Sequence, residues 1–172
     1  MKTLYLLRHG KAVSESLGVD DHERPLEPRG QAAALVVGNQ LRERGERLNL
    51  ILCSTARRVQ ETLAQVLVGL NAAEAIPEIK HEPGLYLCGH RALLGRLRLL
   101  PEAAEAVLVI GHNPELHELT ISLVRNGRLE GLRKLRDKFP PASCAILDCN
   151  IGGWAGLGPG VARLMALILP QE

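Results

Sequence analysis

Three short stretches place reactive side chains where apolar runs end. Arg8-His9-Gly10 closes "LYLLRHG", Cys53-Ser54-Thr55 closes "LNLILCST" with Arg57 just inside the segment that follows, and Gly111-His112-Asn113 closes "AVLVIGHN". Two histidines and two arginines brought together would form an anion site, because a guanidinium fork matches phosphate oxygens and helix N-terminal amides add donors. A neutral imidazole held through one ring nitrogen is a competent nucleophile through the other. The chemistry open to such a set is phosphoryl transfer. His9 would attack phosphorus in line, while Arg8, Arg57 and a protonated His112 hold the equatorial oxygens, and water would then release the phosphoryl group. Those cations take the part that magnesium plays elsewhere, so no metal and no cofactor is expected. Gly10 is expected to let the backbone come close to the ligand, and Ser54 and Asn113, at the other two strand ends, to contact substrate.

These residues converge only if the elements carrying them are neighbours. The pattern predicts strands at Thr3 to Leu7, over "LNLILCS", at residues 106–111, and over "SCAILDCNI" and "ARLMALIL". Between them "RGQAAALVVGNQLRERG" and "TARRVQETLAQVLVGL" repeat their apolar residues at helical spacing, with Val59, Leu63, Val66, Leu67 and Leu70 on one face of the second. Further helices are expected near His90 to Leu100 and from "HNPELHELTISLV", where Pro114 suits a first turn. Residues 14–28 read as a long loop, and the region around Pro83 as strand-poor. Strands that are continuously apolar and alternate with helices point to an α/β fold. The expectation is a three-layer sandwich with a largely parallel central sheet flanked by helices, forming a single domain over 1–172. In such sheets ligands bind outside the carboxyl ends of the strands, where the three stretches lie.

Composition narrows the classes. Of 172 residues, 46% are hydrophobic and 23% charged, the balance of one soluble globular unit. One Trp, two Tyr and one Phe leave too few rings for a base-stacking surface, and a net charge of +2 gives no general pull toward nucleic acid or anionic membrane. Cys53, Cys88, Cys144 and Cys149 show no CxxC spacing, and no apolar run is long enough for a signal peptide or a spanning helix. A cytoplasmic protein with reduced thiols is expected, with neither nucleic acid nor membrane as partner.

Taken in order, "LYLLRHGKA", "CSTARRVQET" and "VLVIGHNPEL" resemble the histidine phosphatase superfamily, branch 1, of phosphoglycerate mutase-like fold. Its opening RHG triplet carries the histidine that becomes phosphorylated. The short length, "ERPLEPRG" and "GLYLCG" look most like the small SixA-type phosphohistidine phosphatases. By that resemblance His9 is the nucleophile, Arg8 and Arg57 are phosphate ligands, His112 is the second pocket histidine, and Gln60 and Thr62 are structural. Larger relatives supply a carboxylate as proton donor. Here Glu82 is the nearest possible proton donor, with Asp20, Asp21 and Glu23 as competitors. A phosphohistidine substrate hardly needs one, since imidazole leaves more readily than an alkoxide. The implied partner is therefore a phosphorylated protein carrying phosphohistidine, or else a small phosphorylated substrate.

Other readings compete. The enzyme could instead act on small phosphomonoesters, or the chain could be a non-catalytic phosphate-binding module, although a binder has no use for a nucleophile. "CSTARRV" misses the Cys-x5-Arg spacing of cysteine phosphatases by one position, so Cys53 is expected to be a buried small residue. His112 and His117 lack the HExxH spacing of a zinc helix. Arg58 is assigned to solvent, as are His22, His81, His90 and His117, with His22 and His81 nearest the pocket mouth. The basic segment 125–138 reads as a solvated face, with docking of an acidic partner as the alternative.

Overall fold

The computed structural model describes residues 1–16, 18–73 and 75–170. Seven strands form one sheet: β1 (Lys2–Arg8), β2 (Leu50–Ser54), β3 (Glu78–Glu82), β4 (Ala106–Gly111), β5 (Val124–Gly127), β6 (Cys144–Cys149) and β7 (Ala162–Ile168). The order across the sheet is β3-β2-β4-β1-β6-β7-β5. The β3, β2, β4 and β1 strands run parallel, whereas β6 is antiparallel to both β1 and β7. This is the expected α/β sandwich with a largely parallel central sheet.

The helices follow from amphipathic stripes. α1 (Pro28–Glu43) starts on a proline, whose missing N–H costs nothing in a first turn, and buries Ala34, Val37 and Leu41. α2 (Arg57–Leu70) buries Val59, Leu63 and Val66 and packs against α1 on one face of the sheet. On the other face α3 (His90–Leu97), α4 (Glu115–Leu123) and α5 (Leu129–Asp137) cover Leu4, Leu6, Leu52, Val107 and Val109. Each central strand thus has apolar residues on both sides, which is why β1, β2 and β4 read as continuous apolar runs.

One expectation needs correction. The strand-poor segment before Pro83 contains β3, an edge strand of sequence EIKHE with no fully buried residue. Having one neighbour and solvent on its other side, it carries charge instead of an apolar run. The basic segment 125–138 presents the solvated face that was expected: it supplies most of edge strand β5 and all of α5, which buries Leu135 and leaves its arginines and lysines exposed. The long loop expected over 14–28 holds a short 3-10 turn at Asp21–Glu23 and yields to α1 at Pro28, with residue 17 outside the described residues. Among the described residues no helix is long and apolar enough to cross a membrane.

Candidate active site

Parallel pairing brings the three stretches to one end of the sheet. β4 lies between β1 and β2, with Arg8 opposite Gly111 and Cys53 opposite Ile110. Beyond these ends opens a cavity of about 360 Å3, with Arg8, His9, Arg58, His112 and Asn113 among its walls. The rings of His9 and His112 lie 5.4 Å apart between centroids.

His9 is 7% exposed, and its Nδ1 lies 2.7 Å from the Gly10 carbonyl oxygen. A carbonyl can only accept, so Nδ1 carries the proton and Nε2 keeps its lone pair. Among the described residues Nε2 has no hydrogen-bond partner. Burial pushes the ring's pKa from 6.5 down to about 4, with Arg58, Arg8 and Arg24 adding to the effect against the Gly10 bond. His9 is therefore neutral and nucleophilic near neutral pH.

His112 is 1% exposed, with Nε2 2.8 Å from Ser54 Oγ and Nδ1 3.4 Å from an Arg58 nitrogen. Arg58 can only donate, which makes Nδ1 the acceptor and leaves the Nε2 proton for Ser54. Burial first, then His9 and Arg58, drive its pKa down to about 3. The expected protonated His112 is thus not the form held here. Ser54 proves to be fully buried behind His112, so its part is to orient that ring, not to touch substrate.

The second arginine also differs from expectation. Arg57 is exposed and pairs with Glu61 at 2.9 Å on the solvent side of α2. Arg58 points inward, 3% exposed, and bonds through both terminal nitrogens to Asp21, at 2.8 Å to its carbonyl and 3.1 Å to its carboxylate. Helical periodicity carries the reason. Arg58 stands one turn before Thr62 and two before Val66, both buried, whereas Arg57 stands one turn before half-exposed Glu61. That stripe was readable in the sequence and would have selected Arg58.

Asp21 receives Arg58, Arg24 Nε at 2.9 Å, and a hydrogen bond from the Tyr86 hydroxyl. The Tyr86 bond first, then those of Arg24 and Arg58, hold its carboxyl down to about 2 against the opposing effect of burial. It stays ionised and cannot serve as a proton donor near neutral pH. Glu82 lies off the cavity, its two oxygens each 2.7 Å from nitrogens of Arg96 on α3. It is removed from the role of nearest proton donor because β3 points it at α3. Tyr86 and Arg24 escaped the sequence reading, although both sit in the quoted "GLYLCG" and "ERPLEPRG" stretches.

Gly10 serves packing instead of ligand approach. A Cβ there would lie 2.6 Å from the Gly30 carbonyl, and one on Gly30 would lie 2.2 Å from the Lys11 carbonyl. The chain leaving β1 crosses the first turn of α1 at backbone contact, and the Gly10 N–H donates to Thr62 Oγ1 at 3.0 Å. Asn113 lines the cavity, with its amide nitrogen 2.8 Å from the Phe139 carbonyl, which also accepts from Arg8 at 3.1 Å. Arg8 Nε and Arg58 Nε are buried donors without partners. Both arginines line the cavity, and guanidinium groups in such a cationic recess suit a multiply charged oxyanion.

Cys53 is buried as expected. His22 bonds Thr55 and packs edge-on against Tyr86, while His81 contacts Cys53 on β3 away from the cavity. His90 pairs with Glu118. His117, expected at the surface, is half-buried and stacks on Phe139.

Comparison with known proteins agrees with this geometry. The sequence profile of the histidine phosphatase superfamily (branch 1) matches residues 4–86. The chain is 30% identical over 167 residues to the uncharacterized protein Rv1276c of Mycobacterium tuberculosis, covering 96% of this chain and 100% of that one. A Nakamurella multipartitia structure described as a candidate phosphohistidine phosphatase SixA superposes with TM-score 0.83 and 31% identity, covering 99% of this chain and 97% of its own. Its Agrobacterium tumefaciens counterpart gives TM-score 0.81 and 26% identity over 98% of both chains. The chain belongs to branch 1 of the histidine phosphatase superfamily and is a phosphatase, with SixA proteins as structural neighbours.

Proposed function

We propose that the chain acts as one histidine-phosphatase domain over residues 1–172 that hydrolyses phosphohistidine on a protein, without a metal, through a phosphoryl intermediate on His9. The observation that carries the reading is the His9 ring. Its Nδ1 proton is fixed on the Gly10 carbonyl, which leaves Nε2 with its lone pair, and the ring lines the same recess as Arg8, Arg58 and His112.

In the first step Nε2 of His9 bonds to phosphorus as the phosphorus–nitrogen bond of the substrate breaks. A substrate ring protonated on its other nitrogen leaves as neutral imidazole. In the second step water bonds to phosphorus, its proton passes to the departing phosphate, and His9 recovers the Nε2 lone pair with Nδ1 still protonated. Arg8 and Arg58, whose guanidinium groups line the cavity, hold the equatorial oxygens. A bound dianion also favours the cationic form of His112, so binding is coupled to proton uptake. Asn113 belongs to the wall that contacts substrate, and Ser54 keeps His112 in place.

The substrate class follows from the carboxylates. An alkoxide leaving group asks for a proton, and Asp21 is held ionised while Glu82 is engaged with Arg96. Imidazole leaves without that help. The SixA description of the Nakamurella multipartitia relative supports the same substrate class.

Incubation with a labelled phosphohistidine protein, followed by quenching, tests the reading. Acid-labile label on the wild type and none on His9→Ala is expected, with residual phosphate affinity in the variant. Much faster release of phosphate from sugar phosphates or nucleotides than from the phosphohistidine protein would overturn the substrate assignment.

A further inference from the structure

The segment 86–89 carries an anomaly that the phosphate cradle does not use. Leu87 is 52% exposed while its backbone sits at φ +50°, in the left-handed region that penalises any residue with a Cβ. An exposed leucine alone is ordinary. An exposed leucine held in strained backbone is not, since strain persists only where the surroundings over-determine it.

The surroundings here are specific. On one side, Tyr86 donates its hydroxyl proton to the same Asp21 carboxylate that holds Arg58. On the other, the Gly89 N–H points to Glu115 Oε2 at 3.4 Å, and Glu115 is 3% exposed in the first turn of α4, just after His112 and Asn113. Both anchors therefore belong to elements that also position the cradle. Between them Leu87 is held at the wall of the cavity together with Ala12 and Pro141, apolar neighbours to Arg8, His9, Arg58 and His112.

The rest of the wall is polar, with Lys11, Glu15, Asp21 and Arg24, so these three side chains are the apolar surface that the cavity offers to a leaving group. The flat face of a ring gains from that contact while its nitrogens stay at the edge, whereas a polyhydroxylated group loses water there without compensation. We infer that Leu87 is a specificity-determining residue that packs on the ring bearing the phosphoryl group. The inference rests on the function proposed above and names the contact by which the substrate class is selected.

Leu87→Asn tests it, because asparagine tolerates the left-handed backbone and keeps the branching at Cγ while removing the apolar surface. Three substrates are compared: a phosphohistidine peptide, p-nitrophenyl phosphate as a second flat ring, and acetyl phosphate, which has no ring. The ratio of kcat/KM for each ring substrate to that for acetyl phosphate should fall about tenfold, through KM, the loss expected for part of a leucine's buried surface. The melting temperature should equal or exceed that of the wild type. Equal ratios in variant and wild type would overturn the inference, as would a melting temperature several degrees lower, which would mean that the fold itself uses the side chain. Wild-type turnover of p-nitrophenyl phosphate but not of the peptide would defeat the proposed function, leaving Leu87 to be judged by the remaining pair.

Discussion

Replacing Arg58 and Arg57 in turn separates the geometry from the sequence expectation. Arg58 is 3% exposed, clamped by Asp21 at 2.8 and 3.1 Å, and its buried Nε has no protein partner. Donors aimed at reacting oxygens in a site that excludes water are each worth roughly 10²–10³ in kcat, or about 3–4 kcal/mol. Arg58→Ala removes such donors and also a positive charge that depresses both histidines. We expect kcat/KM to fall at least about a hundredfold, with the acid limb of its pH profile moving upward. Arg58→Lys keeps the charge without the fork and should recover only part of the loss. Arg57 has a half-exposed side chain, and its pair with Glu61 one turn away is worth only about 0.3–0.5 kcal/mol. Arg57→Ala should stay within about twofold of the wild type in turnover. Steady-state kinetics on a phosphohistidine peptide and on p-nitrophenyl phosphate, with circular dichroism melts as a folding control, reads all three variants. Loss of activity in Arg57→Ala beside a tolerant Arg58→Ala would refute the reasoning.

Stability should fall as the pH drops from about 7 to about 5. His9 and His112 have pKa values lowered to about 4 and about 3, below the unfolded value near 6.5, so the unfolded chain binds more protons in between. Their neutral forms cost nothing above that value, and denaturant melts should show a loss on the order of 3 kcal/mol from about pH 7 to about pH 5, roughly halved in His9→Ala. A flat profile over that range would contradict the burial of both rings. Asp21→Asn should lower kcat/KM by loosening Arg58, while Glu82→Gln, breaking only the bond to Arg96, should leave it within about twofold; the reverse order in the same kinetic assay would return Glu82 to the site. Gly30→Ala forces a Cβ to within 2.2 Å of the Lys11 carbonyl, so it should destabilise by about 1–3 kcal/mol in chemical melts and reduce activity by displacing His9.

How much of this was legible beforehand depended on whether a residue's signal was local. The apolar runs of β1, β2 and β4, buried on both faces, announced a parallel α/β sheet, and the rule that ligands sit at strand ends directed attention to His9 and His112. Edge strand β3 was hidden because half its surroundings are water, which left no run to read. The choice between Arg57 and Arg58 was present in the buried stripe of α2, yet the assignment taken from the family resemblance went to Arg57.

Sequence by itself therefore determined the layer architecture, the identity of both pocket histidines and Arg8, and the family, since these follow from periodicity and from motifs contiguous in the chain. Only the tertiary structure decided that Asp21 clamps Arg58, that Ser54 braces His112, that Gly10 and Gly30 interlock, and that Leu87 stands strained at the mouth. Each of those depends on distance between segments far apart in the chain, which crossover connections set and spacing along a sequence does not encode.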